Sequence, residues 1–214
     1  AGVFDFQHRG YKSVDNKYLQ WGLTWRMEDI TDHLSEWNYV DSAGYSVPIH
    51  PLHQIVLQDV IKGKNRIASN RVMGYFQNTW EWLLNNESEI SATLGARAQY
   101  WDYNGETTIS PRGNIAWKPR WTKELNDSTT LVRDVVFRFS TGFYHQPPFY
   151  RELRRLDGTL NAEMRAQQSI HFVLGADVNF RMWSRPFKFI SEAYYKDLKN
   201  LVPYEIDNVR LRYY

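Results

Sequence analysis

The chain has 214 residues and a formal charge of +2, so net charge points to no nucleic-acid partner. It has no cysteine, which excludes disulfides and thiol catalysis, and leaves the redox compartment open. The mean hydropathy of −0.59 and the lack of an apolar run of roughly 18 residues exclude a membrane helix. They do not exclude a membrane β-barrel, whose strands alternate lipid-facing and water-facing residues.

The opening stretch AGVFDFQHRG lacks the basic start and apolar core of a signal peptide, so either a leader has been removed or the chain starts inside a longer one. YLQWGLTWRME then sets Leu19, Trp21, Leu23, Trp25 and Met27 against Gln20, Gly22, Thr24, Arg26 and Glu28. A period of two predicts a strand with one oily and one wet face. Residues 29–54 are long and irregular and are expected as a loop. His50 and His53 lie there in HPLH, but the intervening proline and the absence of a third ligand nearby make a metal site a weak reading, and none is expected.

MGYFQNTWEW is the least regular strand, because Asn78 shares a face with Phe76 and Trp80. After a short link at 84–89, EISATLGARAQYW sets Ile90, Ala92, Leu94, Ala96, Ala98 and Tyr100 against Arg97 and other polar residues. A link at 103–108 leads to TISPRGNIAWK, with Arg112, Asn114 and Lys118 on its wet face.

Past a link at 123–129, RDVVFRFSTGF places Val135, Phe137, Phe139, Thr141 and Phe143 opposite Asp134, Val136, Arg138, Ser140 and Gly142. A helix would scatter the same residues around its cylinder. A long segment at 145–168 precedes SIHFVLGADVNF, whose oily set is Ile170, Phe172, Leu174, Ala176, Val178 and Phe180, and whose wet set includes His171 and Asp177. FKFISEAYYK follows a link at 182–187, with Lys188, Glu192 and Lys196 on the wet face.

Strands of about 9 to 11 residues suit a tilted bilayer crossing, whereas soluble sandwich strands run nearer five or six. Short links alternate with long ones. The aromatic residues Trp80, Trp82, Trp117, Trp121, Trp183 and Phe187 gather at the short-link end, as an interfacial girdle requires.

Chemistry finds little support. No GxSxG, P-loop or GxGxxG is present, and Glu28 and Asp29 point to opposite strand faces, so they form no carboxylate dyad. The chain is expected not to be an enzyme and to use no cofactor.

The succession QNTWEW, LGARAQYWDYN, ISPRGNIAWKP, FRFSTGFYHQPPFYREL, VLGADVNF and RPFKFISEAYYKDLKNLVPYEIDNVRLRYY resembles the barrel of TonB-dependent outer-membrane receptors, of the group with a carboxypeptidase-like regulatory domain. The resemblance runs from about Tyr18 onward and is most specific in QPPFYREL and EAYYKDLKNLVPYEIDNVRLRYY. It implies an all-β fold of antiparallel transmembrane strands, part of a 22-stranded barrel with long extracellular loops and short periplasmic turns. Residues 1–214 would be a partial barrel domain. The plug domain and energy-coupling box of that family are absent from this sequence, and its strands supply under half of such a barrel.

The implied activity is import of an unidentified ligand through the outer membrane of a Gram-negative bacterium. Implied partners are the receptor's own plug, the TonB complex acting through it, the lipid bilayer, a small-molecule, glycan or peptide ligand, and a surface lipoprotein as a further candidate. Arg97, Arg112, Asp134, Arg138, Asp177 and Glu192 would face the lumen, where the alternative to a substrate role is a set of structural ion pairs. His145, Gln146, Phe149, Tyr150, Arg151, Glu152 and Arg154 would form an extracellular ligand-binding loop, or a loop ordered by its own aromatics. The competing class is a soluble all-β carbohydrate-binding module, with Trp and Tyr stacked on sugar rings and the oily face buried on a second sheet.

Overall fold

The computed structural model describes residues 1–40, 56–126, 129–155, 157–207 and 210–213. Among them there is no helix, and the strands are β1 (Gly2–Val14), β2 (Lys17–Val40), β3 (Val56–Leu83), β4 (Glu89–Trp101), β5 (Glu106–Lys118), β6 (Trp121–Asn126), β7 (Thr129–Gln146), β8 (Gln167–Met182), β9 (Arg185–Lys199), β10 (Tyr204–Asp207) and β11 (Arg210–Tyr213). The first nine form one open antiparallel sheet in the order β1-β2-β3-β4-β5-β7-β8-β9, with β6 paired to β7, and β10 and β11 pair separately. Within the large sheet each strand hydrogen-bonds to a neighbour in sequence, except that β5 pairs with β7 and not with β6.

Two-residue turns at Asp15–Asn16 and Trp183–Ser184 lie at one end of the sheet, with positive φ at Asp15, Trp183 and Ser184. The 84–88 turn lies at the same end. The opposite end carries the 102–105 turn and the 147–166 segment.

Several boundaries differ from the sequence expectation. Residues 29–40 are strand, not loop: β2 and β3 continue as a paired ribbon to Val40 and Val56, with Asp29 and Arg66 ion-paired at 2.7 Å across it. Polar residues on both faces hide the period of two, while the backbone ladder needs no oily face to form. The rest of that stretch, with His50 and His53, lies outside the described residues.

Within the expected 123–129 link, β6 runs to Asn126 and β7 starts at Thr129. β5 and β6 together flank β7, one pairing with its upper part and the other with its lower part, and the break between them falls at Pro119. Pro111 sits inside β5 at the point where the ladder to β7 has already ended at Arg112, so its missing N–H disrupts no pairing there. β1 was not expected as a strand, because His8, Gly10 and Lys12 interrupt the oily face begun by Phe4 and Phe6.

Few apolar side chains among the described residues are buried: Ile67, Trp101, Val135, Leu153 and Ala166, with Pro119 and Pro148. Ile67, Trp101 and Leu153 form the one compact cluster, with Tyr103, Tyr150, Leu160 and Met164 packed against it. It lies on the wet face, beneath the 147–166 segment. Trp101 donates its indole N–H to Ser69 Oγ at 3.1 Å, and the Arg71 guanidinium stacks 4.0 Å from its ring centroid.

Leu153 is 0 % exposed, so Leu153→Ala removes the centre of this cluster. The expected cost is about 2 to 5 kcal/mol, confined to the 147–166 segment. Limited proteolysis should show faster cleavage within 147–166 and an unchanged sheet; an unchanged cleavage rate would show that the cluster does not hold the segment down.

Candidate functional site

The wet face carries the polar chemistry. Arg138 binds Asp177 at 2.6 Å and Glu192 at 3.3 Å, and Lys188 binds Asp177 at 3.2 Å. Three of the six expected wet-face charges therefore meet in one network. Asp134 lies next to it, accepting a hydrogen bond from Asn179 at 2.7 Å. Arg97 and Arg112 stand apart: the first reaches Met73 Sδ at 3.1 Å, and the second stacks 4.3 Å from the Tyr144 ring centroid, which in turn stacks on His171. A second charged row runs across β1, β2 and β3 through Asp5, Arg26, Glu28 and Arg71, which sequence reading had not assembled.

The 147–166 segment folds back over the wet face of β2 to β5. Asp157 opens a tight turn by accepting hydrogen bonds from the Thr159 N–H and hydroxyl at 2.9 and 2.7 Å, which hold its carboxyl below the usual range. Gly158, at φ +85°, then places its carbonyl 2.7 Å from Asn65 Nδ2. A Cβ at Gly63 would lie 2.8 Å from that carbonyl, so two glycines permit the approach. Arg154 donates to Asp32 at 3.1 Å. At the far end Asn104 Nδ2 donates to the Met164 carbonyl at 3.0 Å, and the Glu106 carboxylate accepts the Ala166 N–H at 2.9 Å.

These anchors divide the expected loop residues. Tyr150, Glu152 and Arg154 hold the segment in place: Tyr150 packs on the buried cluster, and Glu152 accepts the Phe149 N–H at 2.8 Å. His145 Nδ1 lies 3.0 Å from Ser110 Oγ. Gln146, Phe149 and Arg151 remain exposed, Phe149 at 61 %. The partners Asp32, Asn65, Asn104 and Glu106 lie far away in sequence, and no local pattern marks them.

The oily face shows a second order. One cross-strand row joins Lys12, Leu19, Asn78, Leu94, Gly113, Thr141, Phe172 and Tyr195. On β2 the row marks the bottom of an apolar window, Leu19 to Met27, flanked by Lys17 and Asp29. On β9 it marks the top of an equal window, Phe187 to Tyr195, flanked by Arg185 and Asp197. The window has slid eight residues in six strand steps. β7 falls between, with its window at Val135 to Phe143 and its top two residues above the row. At ~3.3 Å per residue and ~4.8 Å per strand, the apolar band crosses the strands as a level belt would if they leaned about 40°.

At the short-turn end Trp117, Trp121 and Phe137 pack together, with centroids 5.7 to 6.3 Å apart, and Phe187 lies between Phe180 and Trp183. No group of three or more metal-ligating side chains occurs among the described residues. Comparison with protein-family models, curated proteins and solved structures finds nothing that matches this chain.

Burial pushes the Tyr150 phenol up to about 12, with the Asp32 carboxylate beside it adding to the shift. Its hydroxyl is buried without a well-formed hydrogen bond. Because the folded value exceeds the ordinary 10, the stability tied to the neutral phenol is complete below pH 10 and is lost as pH rises through 12. Tyr150→Phe should keep the segment closed at neutral pH and remove this loss. The check is cleavage of 147–166 from pH 8 to 12; opening of Tyr150→Phe at neutral pH would mean that the hydroxyl makes a bond the fold needs.

Proposed function

We propose that this chain forms part of the wall of an outer-membrane β-barrel, of the kind found in TonB-dependent receptors, that imports a ligand into the periplasm. The sloping apolar band is the observation that carries this reading. Bilayer-spanning strands tilt by ~35 to 45° and present an outward apolar belt ~25 Å tall. Nine residues extend about 30 Å along a strand and about 23 Å in height when it leans 40°. Charges close the belt above and below on β2 and β9, and the aromatic clusters sit at its short-turn margin, as interfacial rings do.

The paired charges on the opposite face fit a water-filled lumen, and the 147–166 segment would narrow that lumen from the long-loop, extracellular side. Transport by the TonB mechanism rests on the family resemblance, with a plug and energy-coupling partner supplied from outside these residues. The exposed Gln146, Phe149 and Arg151 are the strongest ligand-facing candidates in the segment. A soluble glycan-binding sandwich fits less well, because strands of 13 to 28 residues dominate the sheet and no second sheet covers its oily face among the described residues.

Two tests follow for the full-length protein. Phe139→Arg puts a cation on the lipid side at the centre of the Val135 to Phe143 window, at a cost of about 2 to 4 kcal/mol near the midplane, and should reduce assembly in outer-membrane fractions. Arg138→Ala should assemble, because water solvates the carboxylates it leaves; equal assembly of both variants would show that the faces are wrong. Tags at exposed Ala162 should label on intact cells and tags at the Trp183–Ser184 turn should not, and the reverse pattern would overturn the orientation.

A further inference from the structure

On the oily face, a groove of about 780 Å³ opens between β1 and β7. Phe76, Trp80, Leu94 and Phe143 wall it, and Gly113 and Asn78 occupy positions where a full apolar row would place large side chains. Asn78 is the residue that made its strand irregular in sequence. With its oxygen turned toward the indole, it accepts from Trp80 Nε1 at 3.1 Å and donates to the Tyr18 carbonyl at 3.2 Å, so the amide satisfies itself within the apolar surface. Lys12 and Lys17 also line the groove.

The two lysines are diagonal neighbours on one face, since Lys12 opposes Leu19 and Lys17 opposes Val14. Such neighbours have Cβ atoms ~7 to 8 Å apart, close enough for both ammonium groups to reach one phosphate. Both are exposed, and neither enters an ion pair among the described residues. They sit at the short-turn margin of the belt, where a lipid-facing cation costs only ~0 to 1 kcal/mol. An apolar trough ending in two unpaired cations matches one amphiphile chemistry, an acyl chain joined to an anionic head.

We propose that this groove holds an anionic phospholipid of the periplasmic leaflet, its phosphate between Lys12 and Lys17 and one acyl chain along Phe76, Trp80 and Leu94. The proposal rests on the barrel reading. It gives the lysines and Asn78, unexplained by a uniform lipid-facing surface, a common role.

The chain has no cysteine, so a bimane label on Ala92→Cys, in the row of Lys17 and Trp80, reports on the groove, and one on Phe189→Cys reports on the oily face far from it. The full-length protein is placed in vesicles in which either phosphatidylglycerol or phosphatidylcholine carries brominated chains. Position 92 should be quenched at a mole fraction of brominated phosphatidylglycerol lower by on the order of tenfold than of phosphatidylcholine. Position 189 should show no preference, and Lys12→Gln with Lys17→Gln should abolish the preference at 92. Equal quenching by both lipids at 92, or a preference that survives the double substitution, overturns the lipid site while the barrel reading stands. Absence of quenching at both positions overturns the lipid-facing surface itself, and the site with it.

Discussion

The apolar face of a single-layer sheet has to be kept from water, and every other feature of this chain follows from that constraint. A compact protein of 25.5 kDa exposes about 10,400 Å². This chain exposes 15,898 Å², with Leu94 at 59 % and Phe139 at 43 % among many such residues. Much of that excess is the oily face, which no second layer covers among the described residues. The compact cluster found among the described residues, around Leu153, lies on the other face and covers none of it. Whatever meets the oily face therefore supplies most of the hydrophobic stabilisation, and the slope of the belt across the strands matches a slab of hydrocarbon better than a second sheet.

The wet face solves a different problem. Its charges lie in rows that the register brings side by side, so Arg138, Asp177, Glu192 and Lys188 neutralise one another, as do Asp5 and Arg26. Exposed pairs of this kind contribute little to stability individually. On the proposed barrel reading, their value is to let polar side chains face a narrow aqueous lumen. The 147–166 segment uses that same surface as its floor, reaching from β7 and β8 back to Asp32 on β2 and Asn65 on β3.

Much of this was legible in the sequence, because a strand's two faces are written at every second residue. β4 was readable to its ends, and the alternation in Val135 to Phe143 and Leu19 to Met27 gave the faces the sheet displays. The upper ribbon of β2 and β3 was not, since polar residues on both faces erase the period while the backbone ladder persists. Proximity in sequence gathered the loop residues but not the distant partners that hold some of them. Tyr150 and Arg154 owe their functions to Leu153's neighbours and to Asp32, which lies 122 residues from Arg154. The tilt of the belt was also hidden, because it needs the register of all the strands at once.

The central claim is that the oily face meets lipid. Single spin labels placed in turn at residues 135 to 143 of the full-length protein in vesicles test it directly, by comparing collision with oxygen, which concentrates in lipid, against a water-soluble nickel chelate. The account predicts a period of two, with oxygen favoured at 135, 137, 139, 141 and 143 and nickel favoured between them. Low access to both reagents along the odd positions would place protein against that face and contradict it.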